Sequence, residues 1–297
     1  MKRFLKNNIL IIVIIVIVSI IFLNGGYKSL QEYKGYVNAD QQLIKECEKE
    51  GTNQKEWCEE ILKNKDVELD FYTVFADALT WQVQYIYYFA FLIVVIPTMI
   101  KVCKKLKYKQ IINSNSRESY HSFLKKLLKT AYQYIWVLAL LSLIMMIPIM
   151  MYTSLNPEYA IIKSHGMWQS NIIYHPVLFV ISYLINVTLY SMIFIHIALL
   201  VARKQQKTIP CILFSYVLYL AIEIFLETVV KVIIFQRIFH SEFGMILNII
   251  NVFGMNDLYG VGTLLLVNLC MVLISFALVY LAYKNKEKFV IQCEKNK

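Results

Sequence analysis

Six apolar stretches, at about 8–24, 80–100, 131–152, 177–202, 209–232 and 261–283, alternate along the chain with shorter polar segments. Crossing about 30 Å of hydrocarbon takes about 20 helical residues, so five of these runs are long enough to span a bilayer and the sixth is slightly shorter. Inside lipid the backbone has no water to bond, and a run of this length satisfies its own N–H and C=O groups as a helix. The pattern predicts an all-α integral membrane protein with six transmembrane helices. A further apolar segment, Phe243 to Met255, is broken by Gly244, Asn248, Asn251 and Gly254. At that length it reads as a re-entrant piece, 243–255, between spans five and six.

Composition excludes the alternatives to a membrane protein. Hydrophobic side chains make up 58% of the 297 residues and charged ones 17%, with 9 Gly and 5 Pro, and the mean hydropathy is +0.54. Neither a soluble domain nor a disordered chain has this balance. The net charge of +10 would suggest nucleic acid in a soluble protein. Here its distribution along the chain sets topology instead, because Lys and Arg in short flanking segments stay in the cytoplasm. Residues 1–7, 101–130, 203–208 and 284–297 hold 20 of the 30 basic residues, whereas 25–79 carries 7 basic and 12 acidic residues. Both termini are therefore expected in the cytoplasm, and no nucleic-acid partner is expected. The first run, Ile9 to Leu23, follows Lys2, Arg3 and Lys6 and has no small-x-small cleavage site before Gly25. It reads as a retained anchor.

Three units follow: an anchor at 1–24, an extracytoplasmic insertion at 25–79, and a five-span bundle at 80–297. Within the insertion, Asp40 to Glu50 places Leu43, Ile44 and Cys47 on one stripe, and Gln54 to Asn64 places Trp57, Cys58, Ile61 and Leu62 on another. Gly51-Thr52-Asn53 separates the two, which predicts a helical hairpin. Folded back, it brings Cys47 near Cys58, and an oxidising compartment favours a disulfide over two free thiols. Cys103, Cys211 and Cys293 lie at or beyond cytoplasmic ends and Cys270 within the sixth span. No Cys/His spacing resembles a zinc site, and no metal site is expected.

The cytoplasmic loop 101–130 carries a second pattern. Tyr120, Phe123, Leu124, Leu127 and Leu128 recur at helical spacing, with Arg117, Lys125, Lys126 and Lys129 on the other side. Asn115 and Glu118 have the spacing of a capping box that would start this helix. It suits either anionic lipid headgroups or docking to another protein.

Chemistry is sparse. The chain has no GxxxxGK[ST] loop, HExxH or G-x-S-x-G, so no catalytic residue and no cofactor on this chain are expected. The five histidines are scattered, and His196 reads as a buried hydrogen-bonding residue rather than a ligand. Glu223, Glu227 and Lys231 stand at i, i+4 and i+8 in the fifth span, with Glu227 oriented for an ion pair to Lys231. Charges at such depth face a bundle interior or a wet cavity. Glu223, Glu227 and Lys231, with Asn186 of span four, are the candidates for a translocation path. Ser182, Asn186 and Tyr190 share one face of span four, and Asn268 and Ser275 one face of span six, as residues that join helices also do.

In order and sidedness these features resemble the membrane subunit of exporters in the second family of ABC permeases. A span near the N-terminus, an extracytoplasmic insertion before span two, a basic cytoplasmic helix before span three and a re-entrant segment before span six all match over nearly the whole chain. Ser116-Arg117-Glu118-Ser119-Tyr120 followed by Phe123 to Lys129 is similar to the coupling segment of such permeases. The resemblance implies that Arg117, Tyr120, Phe123, Leu124 and Leu127 couple to a cytoplasmic ATP-binding subunit, which would hold ATP and Mg. It also implies a second permease subunit, identical or homologous, in the plasma membrane. The expected cargo is a hydrophobic or amphipathic drug, antimicrobial peptide or lipid. The Ile, Lys and Asn bias points to an AT-rich bacterial genome. The rival readings are a membrane-embedded enzyme acting on lipid or peptide through Glu223, and a non-transporting sensor or scaffold built on the 40–64 hairpin.

Overall fold

The computed structural model describes residues 2–50, 69–82, 84–106, 119–156, 175–247 and 259–285. These fold into helices, and the one β-type contact among them is an isolated bridge between Asp70 and Ser154. Five helical stretches, Ile12–Glu48, Tyr120–Tyr152, Pro176–Lys204, Thr208–Ile238 and Val261–Tyr283, are long and apolar enough to cross a membrane. The chain is a multi-pass helical membrane protein.

The centre of the bundle is α6 (Pro176–Lys204), which packs most extensively against α8 (Val261–Tyr283) and also against α3 (Gln84–Lys105), α7 (Thr208–Phe225) and α5 (Val137–Tyr152). The second apolar run of the sequence is α3, and it too is interior: Phe91, Val94, Val95, Met99, Val102 and Cys103 are fully buried. Stacked and edge-on rings join the three helices, with Phe91 stacked on Tyr219 at 4.8 Å and Phe194 edge-on to Tyr219 at 5.2 Å. Such contacts contribute beyond the burial of area.

The first helix differs from expectation. The anchor was expected to end at residue 24 and a separate helix to begin at Asp40, yet α1 runs unbroken over Lys2–Glu50. Its 49 residues extend about 74 Å, well beyond a bilayer core. Interior glycines cost a helix about 1 kcal/mol each, which is why Gly25-Gly26 reads as a stop. In the fold, Gly26 is where α5 crosses α1: a Cβ there would lie 3.2 Å from Met145 Cγ and 3.4 Å from Ile149 Cδ1. The missing side chain permits the close approach that lipid-embedded helices use to associate. The second arm of the expected hairpin, 54–64, lies outside the described residues.

The end of the insertion also differs. Residues 70–79 were expected outside the membrane unit, but α2 (Phe71–Asp77) is part of the core, with Phe71, Tyr72, Val74 and Phe75 fully buried. Their rings pack on Phe179 and Tyr183 of α6. Asp70 caps α2 by accepting from the Thr73 N–H at 2.7 Å. The Phe71 N–H donates to Ser154 O at 2.8 Å and the Ser154 N–H to Leu69 O at 2.7 Å. These bonds fix the start of α2 to the far end of α5. The winding widens to a π-helix over Ala78–Gln82 before α3 begins.

A second π-helix, Leu226–Ile238, continues α7, and the 3₁₀ turn Phe243–Leu247 folds back against it. Gly244 makes this return possible, since a Cβ would sit 2.7 Å from the Lys231 Cα. Residues 248–255 of the expected re-entrant segment lie outside the described residues. A backbone atom cannot yield as a side-chain tip does, so Gly244→Ala should cost about 1–3 kcal/mol. Gly35, with nothing within 4 Å of its Cβ position, is the control: Gly35→Ala should leave stability unchanged or raise it by up to about 1 kcal/mol. Thermal unfolding in detergent compares the two.

Candidate functional site

The polar residues of α6 meet partners on three other elements. Asn186 accepts through Oδ1 from the Asn268 side-chain amide of α8, and both are buried. Tyr190 donates its hydroxyl to Glu223 Oε1 of α7 at 2.7 Å. His196 lies between Tyr132 (2.6 Å to Nε2) and Ser275 of α8 (2.7 Å to Nδ1). The Ser275 hydroxyl proton is directed at Val272 O, 3.0 Å away. Nδ1–H then donates to Ser275, and Nε2 accepts from Tyr132. Lower down, Tyr283 of α8 donates to Leu199 O at 2.8 Å. Each bond crosses between helices, where lipid offers no competing partner.

The residues proposed for a path are therefore brought together only in part. Glu223 is tied to Tyr190, and Glu227 is paired with Lys231 at 3.0 Å within the π-helix. Asn186 joins α6 to α8 rather than lining open space. His196 is the buried hydrogen-bonding residue its surroundings in the sequence suggested; Tyr132 and Ser275, its partners, gave no sequence signal because spacing along one helix says nothing about its neighbours.

At the other end, α4 (Tyr120–Ala131) begins at Ser119, whose side chain accepts from the Ser122 N–H. The cap is thus four residues beyond Asn115, which with Glu118 and Arg117 lies outside the described residues. The apolar face of α4 is turned into the bundle. Phe123 and Leu127 are 5% and 2% exposed, and Tyr120 and Leu124 pack against the same core. Tyr120 donates to Tyr283 O at 2.7 Å. Lys105 of α3 reaches Thr130 Oγ1 at 2.5 Å, and Lys101 stands 3.2 Å from Gln133 Oε1 and over the Tyr134 ring. His121, Lys125, Lys126 and Lys129 are left exposed. Beside this region a cleft of about 580 Å³ is lined by Arg203, Lys204 and Phe214 among others, a combination suited to a lipid headgroup and its chain.

No family model matches the chain, and no curated protein or solved structure matches it either. Assignment of function rests on the geometry.

Cys47 is disulfide-bonded, and the other described cysteines, Cys103, Cys211 and Cys270, are free. Cys58 lies outside the described residues. A cluster the sequence did not flag joins α1 to α2: the Ser29 hydroxyl donates to Asp77 Oδ2 at 2.7 Å and lies 2.9 Å from Val74 O. Gln82 adds a bond to Glu32 at 3.4 Å. Burial raises the carboxyl pKa of Asp77, and the nearby Glu32 adds to the rise against the hydrogen bonds from Ser29 and Gln82. Burial likewise raises Asp70, partly offset by the bonds from Thr73. A carboxyl with a raised pKa in the folded state holds its proton more tightly there than when unfolded. Its contribution to stability is present below the ordinary value of 3.8 and is lost as pH rises through the folded value. Asp77→Asn should therefore flatten the fall in melting temperature as pH rises above 3.8, read by unfolding in detergent from acidic pH upward.

Proposed function

We propose that the chain is the membrane permease subunit of an ATP-driven exporter, paired with a second permease subunit and powered by a separate cytoplasmic ATPase that carries ATP and Mg. In this reading α3 is counted with the five long apolar helices to give six spans, with both termini in the cytoplasm. The observation that carries the proposal is α4: an amphipathic helix ahead of the third apolar run, bolted to the bundle by one face and presenting a basic face outward. Such a helix is a lever. Force applied to His121, Lys125 and Lys129 passes through Phe123 and Leu127 to α3, and through Tyr120 to the end of α8.

The exposed face, rather than Tyr120 and Phe123, then makes the contact with the ATPase. Nucleotide-driven closure of the ATPases would shift α4 and tilt α3 and α5 outward. The Tyr190–Glu223 bond between α6 and α7 is the contact such a tilt would break, freeing Glu223 towards the path. The long apolar faces of α1, α7 and α8, which include Val16, Ile20, Leu213, Val217, Leu269 and Leu273, suit lipid and the second subunit. They also suit a hydrophobic or amphipathic cargo. A Cys47–Cys58 disulfide would close the extracytoplasmic hairpin.

The test is affinity purification of the tagged chain from native membranes in mild detergent, with an ATPase assay on the eluate. An ATP-binding subunit should copurify, and Lys125→Glu with Lys129→Glu should release it. Tyr120→Phe should retain the partner while reducing cargo-stimulated hydrolysis several-fold. A folded chain that brings down no ATPase would refute the proposal.

A further inference from the structure

Met99 and Cys103 stand one turn apart on α3, and Cys211 faces them from the first turn of α7. All three are fully buried. Cys211 Sγ lies 3.8 Å from Met99 Sδ, and Cys103, one turn on from Met99, is a neighbour of Cys211 in the contact between α3 and α7. A thioether accepts but cannot donate, so the Cys211 S–H points to Met99. Three sulfur-bearing side chains from two helices thus meet near the end of α3 and the start of α7.

We propose that Met99, Cys103 and Cys211 form a three-sulfur site for a soft monovalent cation, copper(I), that clamps the end of α3 to the start of α7. The spacing fits. A metal–sulfur bond of about 2.3 Å at the centre of a planar sulfur triangle sets the edges at about 4 Å, close to the 3.8 Å between Cys211 and Met99. Metal can therefore replace the thiol protons without moving either helix far.

The donor set selects the ion. Thiolate with thioether is a soft pairing that suits copper(I). Zinc takes four ligands from Cys, His, Asp and Glu, and among the described residues no three of those types gather. The position of Cys211 supports a thiolate ligand: it sits in the first helical turn, whose free N–H groups stabilise negative charge. Both cysteines lie within about one turn of the helix ends, where Lys104 and Lys207 are exposed, so an ion has a short way in. The compartment expected there keeps thiols reduced and available.

The experiment uses the full chain in detergent with Cys47→Ser and Cys58→Ser, so that no opened disulfide competes for metal, reduced with a phosphine and desalted without oxygen, then titrated with copper(I) against bicinchoninate. One copper(I) per chain should be withheld from the chelator. Cys103→Ser and Cys211→Ser should each abolish this, Met99→Leu should weaken it at least about tenfold, and Cys270→Ser and Cys293→Ser should leave it unchanged. X-ray absorption at the copper edge of the complex with the site intact should show a shell of sulfur alone, a readout that does not depend on the site variants folding. Copper held equally by Cys103→Ser, a shell containing nitrogen or oxygen, or a preference for zinc would overturn the assignment. So would a Cys103/Cys211 pair that oxidises to a disulfide but takes up no copper.

Discussion

A polar side chain inside hydrocarbon must find a partner on a neighbouring helix, and this constraint organises the bundle around α6. Asn186 finds Asn268, Tyr190 finds Glu223, and His196 finds Tyr132 and Ser275. Apolar side chains alone would leave the helices free to slide, since lipid tails compete equally for their surfaces. The cross-helix bonds fix both register and rotation. They hold α8 to α6 along most of its length, and they tie the last turn of α7 to α6.

The same constraint explains the division between interior and periphery. Helix α6 buries most of its spanning stretch and α3 its central and last turns, whereas the spanning stretches of α1, α7 and α8 are mostly left uncovered. Helix α4 packs on α3 and is tied to α8 by the Tyr120–Tyr283 bond. Its long lysine partners on α3, Lys101 and Lys105, bury their stems and direct their charged ends at Gln133 and Thr130. A displacement of α4 is thereby passed to α3 and α8 together.

How much was legible in the sequence follows from how far each signal reaches. Hydropathy is local, and five of its apolar runs became helices of spanning length, with the run at 80–100 forming the buried α3. The Glu227–Lys231 pair was legible because its partners share one helix. What failed depended on contacts between distant segments. Gly25-Gly26 reads as a helix end until Met145 and Ile149 are known to fill the groove. Phe71 to Leu79 reads as part of a soluble insertion until Phe179 and Tyr183 are seen to receive it. Amphipathicity gives α4 a sticky side without naming what it sticks to, and the burial of Phe123 and Leu127 in the bundle shows it. Cys211 lies more than a hundred residues from Met99 and Cys103 along the chain, so their meeting left no trace in spacing.

A coupling role for α4 requires it to lie on the cytoplasmic side of the membrane. Single reporter cysteines at Lys125→Cys and Lys207→Cys for one side, and at Tyr36→Cys and Tyr259→Cys for the other, probe this with a membrane-impermeant maleimide on intact cells. The Tyr36 and Tyr259 reporters should label in sealed cells, and the Lys125 and Lys207 reporters only after the membrane is opened. Labelling of the Lys125 reporter in sealed cells would put α4 outside and contradict that role.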